Sequence, residues 1–271
     1  MNIINVGFED IDNVVFNFYA QQLKNLKSKG VFPEEFFTDI QERNYPYIYD
    51  FLFSSSCDNI SLYRNLFREL YSKNSESIKE RLLKQRFAGE NSFSDFDLDL
   101  RSSFYASLDD FANSAFFLEG VISDITDLNK ELHEKGPNYL NIGITKRGTG
   151  LKKNNPEAYA DRVRRTINWN DTNATNLDKI YFESQKENAL LDIMKDYSPN
   201  AVNFMYLIED DPRNAEGLLK KEVPVILIRY FSELYENLEL TLKRKYSNLL
   251  TVVENHSEAK EIALELAKTY E

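Results

Sequence analysis

The stretch DIDNVVFNFYAQQLKNLKS, residues 10–28, carries the reading of the fold. Its apolar residues stand at Ile11, Val14, Val15, Phe18, Tyr19, Leu23 and Leu26, the spacing at which one face of an α-helix is buried. Asp10 is placed to cap the start and Gly30 the end. A first helix is therefore expected over Asp10–Ser28.

The same period recurs on both sides of the chain's middle. It predicts helices over 60–72 and 76–88, the latter stopped by Gly89, and a long one over 96–134 with a break near Gly120. Asn155 and Pro156 suit the N-cap and first turn of a helix reaching Ile167. Further helices are expected over 174–195, after Pro199 (Val202, Met205, Tyr206, Ile208), over 224–254 and over 257–269. The exception is 136–156, which holds four of the nine glycines and two of the seven prolines. There Leu140–Thr145 alternates like a strand and Lys146–Gly150 like a turn. The fold class that follows is all-α or nearly so: a multi-helix, bundle-like chain with one short β-hairpin near 139–151. It divides into an N-terminal helical subdomain (1–135), a Gly/Pro-containing basic connector (136–155) and a C-terminal helical subdomain (156–271).

With 271 residues, 42 % hydrophobic and 28 % charged, the chain can bury a core and is not of disordered composition. A net charge of −11 disfavours general attraction to nucleic acid or anionic membrane. The single cysteine, Cys57, cannot form an internal disulfide, which suits a reducing, cytoplasmic setting. No apolar run has the length of a membrane span, and the first residues lack the pattern of a secretory signal.

One segment runs against the overall charge. Lys146, Arg147, Lys152, Lys153, Arg162, Arg164 and Arg165 face only Glu157 and Asp161 between 146 and 165, so this segment is +5 and the remainder −16. Cations beside a glycine-containing turn and a helix N-terminus suit a polyanion, with Trp169 able to stack on a base. The competing reading is a solvated loop whose cations pair with the acidic bulk.

Two acidic runs, Asp95/Asp97/Asp99 and Glu209-Asp210-Asp211, could offer oxygen ligands to a hard cation. Neither has an ion-binding loop pattern, so the first reads as a helix N-terminus and the second as a solvated turn before Pro212. His133, His256 and Cys57 are too few and too scattered for zinc. No metal, no cofactor and no catalytic residue is assigned. The aromatic run with Tyr45, Tyr47 and Tyr49 is the best candidate for a protein contact. The functional expectation is a non-enzymatic helical interaction or assembly protein that binds another protein or itself. The alternative is a nucleic-acid- or phosphate-binding protein using 146–165, and no membrane partner is expected.

Overall fold

Where a helical bundle was expected, six strands form one parallel sheet. They are β1 (Ile3–Asp10), β2 (Tyr139–Thr145), β3 (Lys179–Phe182), β4 (Ala201–Glu209), β5 (Val225–Ile228) and β6 (Leu250–Val253). Their spatial order is β3-β2-β1-β4-β5-β6, and every adjacent pair is parallel. The computed structural model describes residues 3–43, 45, 47–87, 94–198, 200–229 and 236–271. The chain divides into a sheet unit, residues 1–17 with 121–271, and a helical unit, 18–120. The segment 136–155, read as a connector, therefore lies within one unit and contains β2.

The all-α expectation is corrected by this sheet, and the physical reason lies in its burial. Parallel strands covered on both faces read as near-continuous apolar runs, which periodicity cannot separate from a buried helix. Residues 202–208 are such a run and form most of β4, not a helix after Pro199, which itself lies outside the described residues. The expected helix over 224–254 is instead β5, α10 (Glu236–Lys245) and β6, with 230–235 outside the described residues. The expected helix over 174–195 is β3 followed by α8 (Asn188–Asp196). Leu140–Thr145 is indeed extended, but it pairs in parallel with β1 and β3 and belongs to no hairpin.

The remaining helices of the sheet unit are α6 (Ser123–Lys135), α7 (Pro156–Thr172), α9 (Pro212–Leu219) and α11 (His256–Lys268). One face of the sheet presents Val6, Phe8, Ile142, Ile144 and Leu207 to a core shared with Ala189, Leu190 and Ile193 of α8 and Ala215 and Leu218 of α9. The other face meets α6 and α11. α11 buries Ala259, Ala263 and Ala267, one small residue per turn, which permits close approach. On this second face Gly7 leaves room for Tyr206: a Cβ there would sit 2.4 Å from the Tyr206 hydroxyl oxygen. Gly7→Ala is therefore expected to cost about 1–3 kcal/mol, whereas Gly150, with nothing within 4 Å of an added Cβ, should tolerate the change. Equal urea midpoints for the two variants would contradict this packing.

The helical unit comprises α1 (Phe18–Ser28), α2 (Glu34–Glu42), α3 (Ile48–Ser54), α4 (Ile60–Phe87) and α5 (Asp95–Asn113). Its core is aromatic, centred on Phe36, whose ring contacts Phe32, Phe37, Phe51 and Tyr63. Gly89, expected to stop a helix, lies outside the described residues. Ser94 and Asp97 form a capping box at the start of α5, while Asp99 pairs with Arg68 and Lys79. The first acidic run is thus a helix start, as its sequence reads.

Candidate active site

In an open parallel sheet, neighbouring strands whose connections leave in opposite directions open a crevice at their carboxyl ends. Here β1 leads outward to β2 and β3, and the chain then returns to β4 on β1's other side. The crevice therefore lies between the ends of β1 and β4. Those ends are Asp10 and Glu209. Both are buried, as are the two acids that follow β4, Asp210 and Asp211. The second acidic run is thus no solvated turn.

Lys186, in the segment between β3 and α8, reaches into this cluster. Its side chain is 1 % exposed, and its Nζ lies 2.6 Å from Asp10 Oδ2 and 2.5 Å from Glu209 Oε2. A buried ammonium persists only with such partners, and the two carboxylates hold its pKa above the ordinary value. Glu209 Oε1 accepts from the backbone N–H groups of Asp210 and Asp211 and from Asn214 Nδ2. Burial opposes its ionisation, yet Lys186 and these donors hold its pKa below the usual value. Asp10 goes the other way. Burial, with Glu209, Asp210 and Asp12 nearby, raises its pKa against the pull of Lys186.

A tight turn after β1 brings in the next groups. Asn13 takes a left-handed backbone (φ 61°), which short polar side chains tolerate. Its Nδ2 donates to Asp210 Oδ2 at 2.9 Å, and its carbonyl accepts from His256 Nε2 at 2.9 Å. Asp12 is gripped by Arg147, whose Nη2 and Nε donate to Asp12 Oδ1 at 2.6 and 2.9 Å. At the end of β2 the Thr145 hydroxyl accepts from the Arg147 N–H.

Asp10, Glu209 and Asp210 can each offer one oxygen such that all lie within 4.8 Å of one another. An oxygen-only, carboxylate-rich set suits a hard divalent cation such as Mg²⁺. Glu209 already has Lys186 on one oxygen and three N–H donors on the other, so Asp10 and Asp210 are the carboxylates that would hold the ion. These residues fit a metal that the sequence reading did not assign.

The residues assigned to a polyanion do not act as one surface. Arg147 and Trp169 are buried, and the Arg147 guanidinium lies over the rings of Phe16 and Trp169. Trp169 packs edge-on to Phe16 and cannot stack on a base. Arg162, Arg164 and Arg165 lie on α7, Arg164 paired with Asp161. Lys146, Lys152 and Lys153 are exposed near the carboxyl edge of the sheet. In the helical unit, half-buried Tyr45 packs on Phe51, Tyr47 precedes α3, and Tyr49 lies against Phe53, Phe104 and Arg101.

The sequence reading missed Asp10, Asp12, Thr145 and Lys186. A signal was present: three apolar runs, 3–8, 140–144 and 202–208, each end at Asp, Thr or Glu before a helix. The expectation of a non-enzymatic helical interaction protein rested on a helical bundle without convergent charged side chains, and the parallel sheet and this cluster remove both premises.

No protein-family model matches the sequence, nor does any curated protein. Solved structures do resemble the chain along nearly all its length. One is described as a predicted phosphatase from Clostridium acetobutylicum (16 % identity, TM-score 0.48, 97 % of this chain and 100 % of that one). Another is a haloacid dehalogenase-like family hydrolase from Streptococcus pneumoniae (14 %, 0.45, 99 % of each). A third is the L-2-haloacid dehalogenase from Xanthobacter autotrophicus (11 %, 0.39, 96 % and 98 %). All three are described as enzymes: a phosphatase, a hydrolase and a dehalogenase.

On the face opposite Asp10, Glu9 is fully buried and accepts from Asn129 Nδ2 at 3.2 Å. Burial pushes its carboxyl well above the ordinary 4.5. The native state then keeps a proton that the unfolded chain gives up, so stability falls as pH rises above 4.5 toward the folded pKa. Glu9→Gln removes that loss. Its advantage in Tm over the parent should grow as pH rises above 4.5. A difference independent of pH would contradict a neutral, buried Glu9.

Proposed function

We propose that the chain is a divalent-cation-assisted phosphate-ester hydrolase in which Asp10 is the nucleophile. The observation that carries this reading is the buried Asp10–Lys186–Glu209 cluster at the sheet's switch point, with Asp210 beside it. A carboxylate can attack phosphorus, break the P–O bond to the ester oxygen and form an acyl phosphate, the departing alkoxide taking its proton from solvent; this splits one hard displacement into two easier ones. Lys186 fixes the Asp10 carboxylate and offsets its charge as the anionic phosphoryl group approaches. Asp12, the carboxylate partner of Arg147, takes the proton from the water that hydrolyses the aspartyl phosphate. A cation held by Asp10 and Asp210 would lower the Asp10 pKa and neutralise phosphoryl charge.

The test is release of p-nitrophenol from p-nitrophenyl phosphate with and without Mg²⁺. Magnesium-dependent turnover, abolished by EDTA and restored by added Mg²⁺, is the expected result. No turnover with any of Mg²⁺, Mn²⁺ or Co²⁺ would remove the reading. No helix among the described residues is long and apolar enough to cross a membrane. A cytoplasmic location is supported by a single, buried thiol, Cys57.

A further inference from the structure

Two pockets adjoin at the carboxyl edge of the sheet and share Ser184. The larger, about 420 Å³, is lined by Lys146, Lys186, Arg213, Lys220 and Lys221, with Glu187 and Glu216 as its acids. The smaller, about 300 Å³, is lined by Lys152 and Lys153, with Glu183 as its acid. Seven cations thus face three acids in a chain that carries 44 acids to 33 bases. Several of the seven are already matched. Arg213 is held by Asp211, Lys220 lies 3.3 Å from Glu216, and Lys186 serves Asp10 and Glu209. Lys146, Lys152, Lys153 and Lys221 have no carboxylate partner among the described residues. Lys146 instead donates to Asn214, and the Lys152 ammonium lies over the Tyr159 ring.

In so acidic a chain, four unmatched ammonium groups beside one cleft are a local electropositive field. Its place matters as much as its sign. Lys146 directly follows Thr145 at the end of β2, and Lys186 joins the larger pocket to Asp10. From these contacts we infer that the substrate carries a second phosphate group, bound at Lys146, Lys152 and Lys153 while the first lies at Asp10. The preferred substrates are then doubly phosphorylated small molecules. Flexible lysines are point charges that suit a dianion without demanding one fixed geometry. The inference rests on the assignment of Asp10 as the attacking group.

The test compares bisphosphates of 1,3-propanediol, 1,4-butanediol and 1,6-hexanediol with the corresponding monophosphates, following release of inorganic phosphate. For the best-fitting length, kcat/KM should exceed that of its monophosphate by about tenfold or more at low salt. The advantage should shrink as ionic strength rises. In the double variant Lys152→Glu/Lys153→Glu it should disappear, the ratio falling to about one or below. If monophosphates turn over and no bisphosphate is preferred, the second subsite is wrong while the hydrolase stands. A preference that survives the double variant also overturns the assignment to these lysines. Hydrolysis of neither series removes the hydrolase reading itself, and the subsite with it.

Discussion

Asp10→Asn is expected to lower kcat for phosphate-ester hydrolysis by at least about a thousandfold without unfolding the protein. The amide has the same shape as the carboxyl but cannot attack phosphorus. The fold should survive because Asp10 is costly to ionise where it stands: burial and three neighbouring acids raise its pKa. A neutral side chain there relieves that repulsion, while Lys186 keeps Glu209 as a partner at 2.5 Å. Circular dichroism and a thermal melt report the fold, and steady-state kinetics report the chemistry. A variant of unchanged stability and more than about a tenth of the parent rate would move the nucleophile elsewhere.

The larger structural effect is expected at Lys186. Lys186→Met keeps the length of the side chain and removes the ammonium, leaving Asp10 and Glu209 buried with no cation between them. Breaking a buried pair in this way costs about 3–5 kcal/mol, a fall in Tm on the order of 10 °C in a protein of this size. The pH dependence identifies the cause. In the parent, the Glu209 pKa is held below its ordinary 4.5 and that of Lys186 above its ordinary 10.5. Their shared contribution is present between those two values. It is lost on the acid side as Glu209 takes a proton, and on the alkaline side as Lys186 loses one. In the variant both carboxyls are driven toward the neutral form, so its deficit should shrink as pH falls toward about 4.5. Denaturant titrations at several pH values would measure this. A deficit constant with pH would mean that lost packing, not lost charge, is responsible.

Part of the architecture is legible in the sequence because some helices announce their own ends. Asn155 and Pro156 mark the start of α7, where the Asn155 side chain accepts from the Ala158 N–H. The apolar residues Ile262, Leu264 and Leu266 likewise place a last helix over 257–269, which is α11. Gly120, with φ 85°, lies in the gap between α5 and α6, as its place within a long helical pattern suggests. The strands are hidden by their own burial. Val225-Ile226-Leu227-Ile228 is apolar at every position because helices cover both faces, so it fits a helical stripe as well as a strand. Asp10 illustrates how one such error hides a site. Joined to Ile11, Val14 and Val15 it looks like a helix cap, whereas it ends β1 and helix α1 starts only at Phe18. The cluster draws on Asp10, Lys186 and Glu209, which are distant in sequence, and only the parallel order of the sheet brings them together. The basic segment was legible as charge. Its division into buried Arg147 and exposed Lys152 and Lys153 was not, because that depends on which residues the turn after β2 directs inward.

The central claim, that Asp10 attacks phosphorus, is tested most directly by stopping a burst of turnover with acid and locating any added mass by peptide mass spectrometry. One phosphoryl group on the peptide containing Asp10, absent from Asp10→Asn, is the result predicted. Active turnover with no adduct on that peptide, or with the phosphoryl group on another side chain, would contradict it.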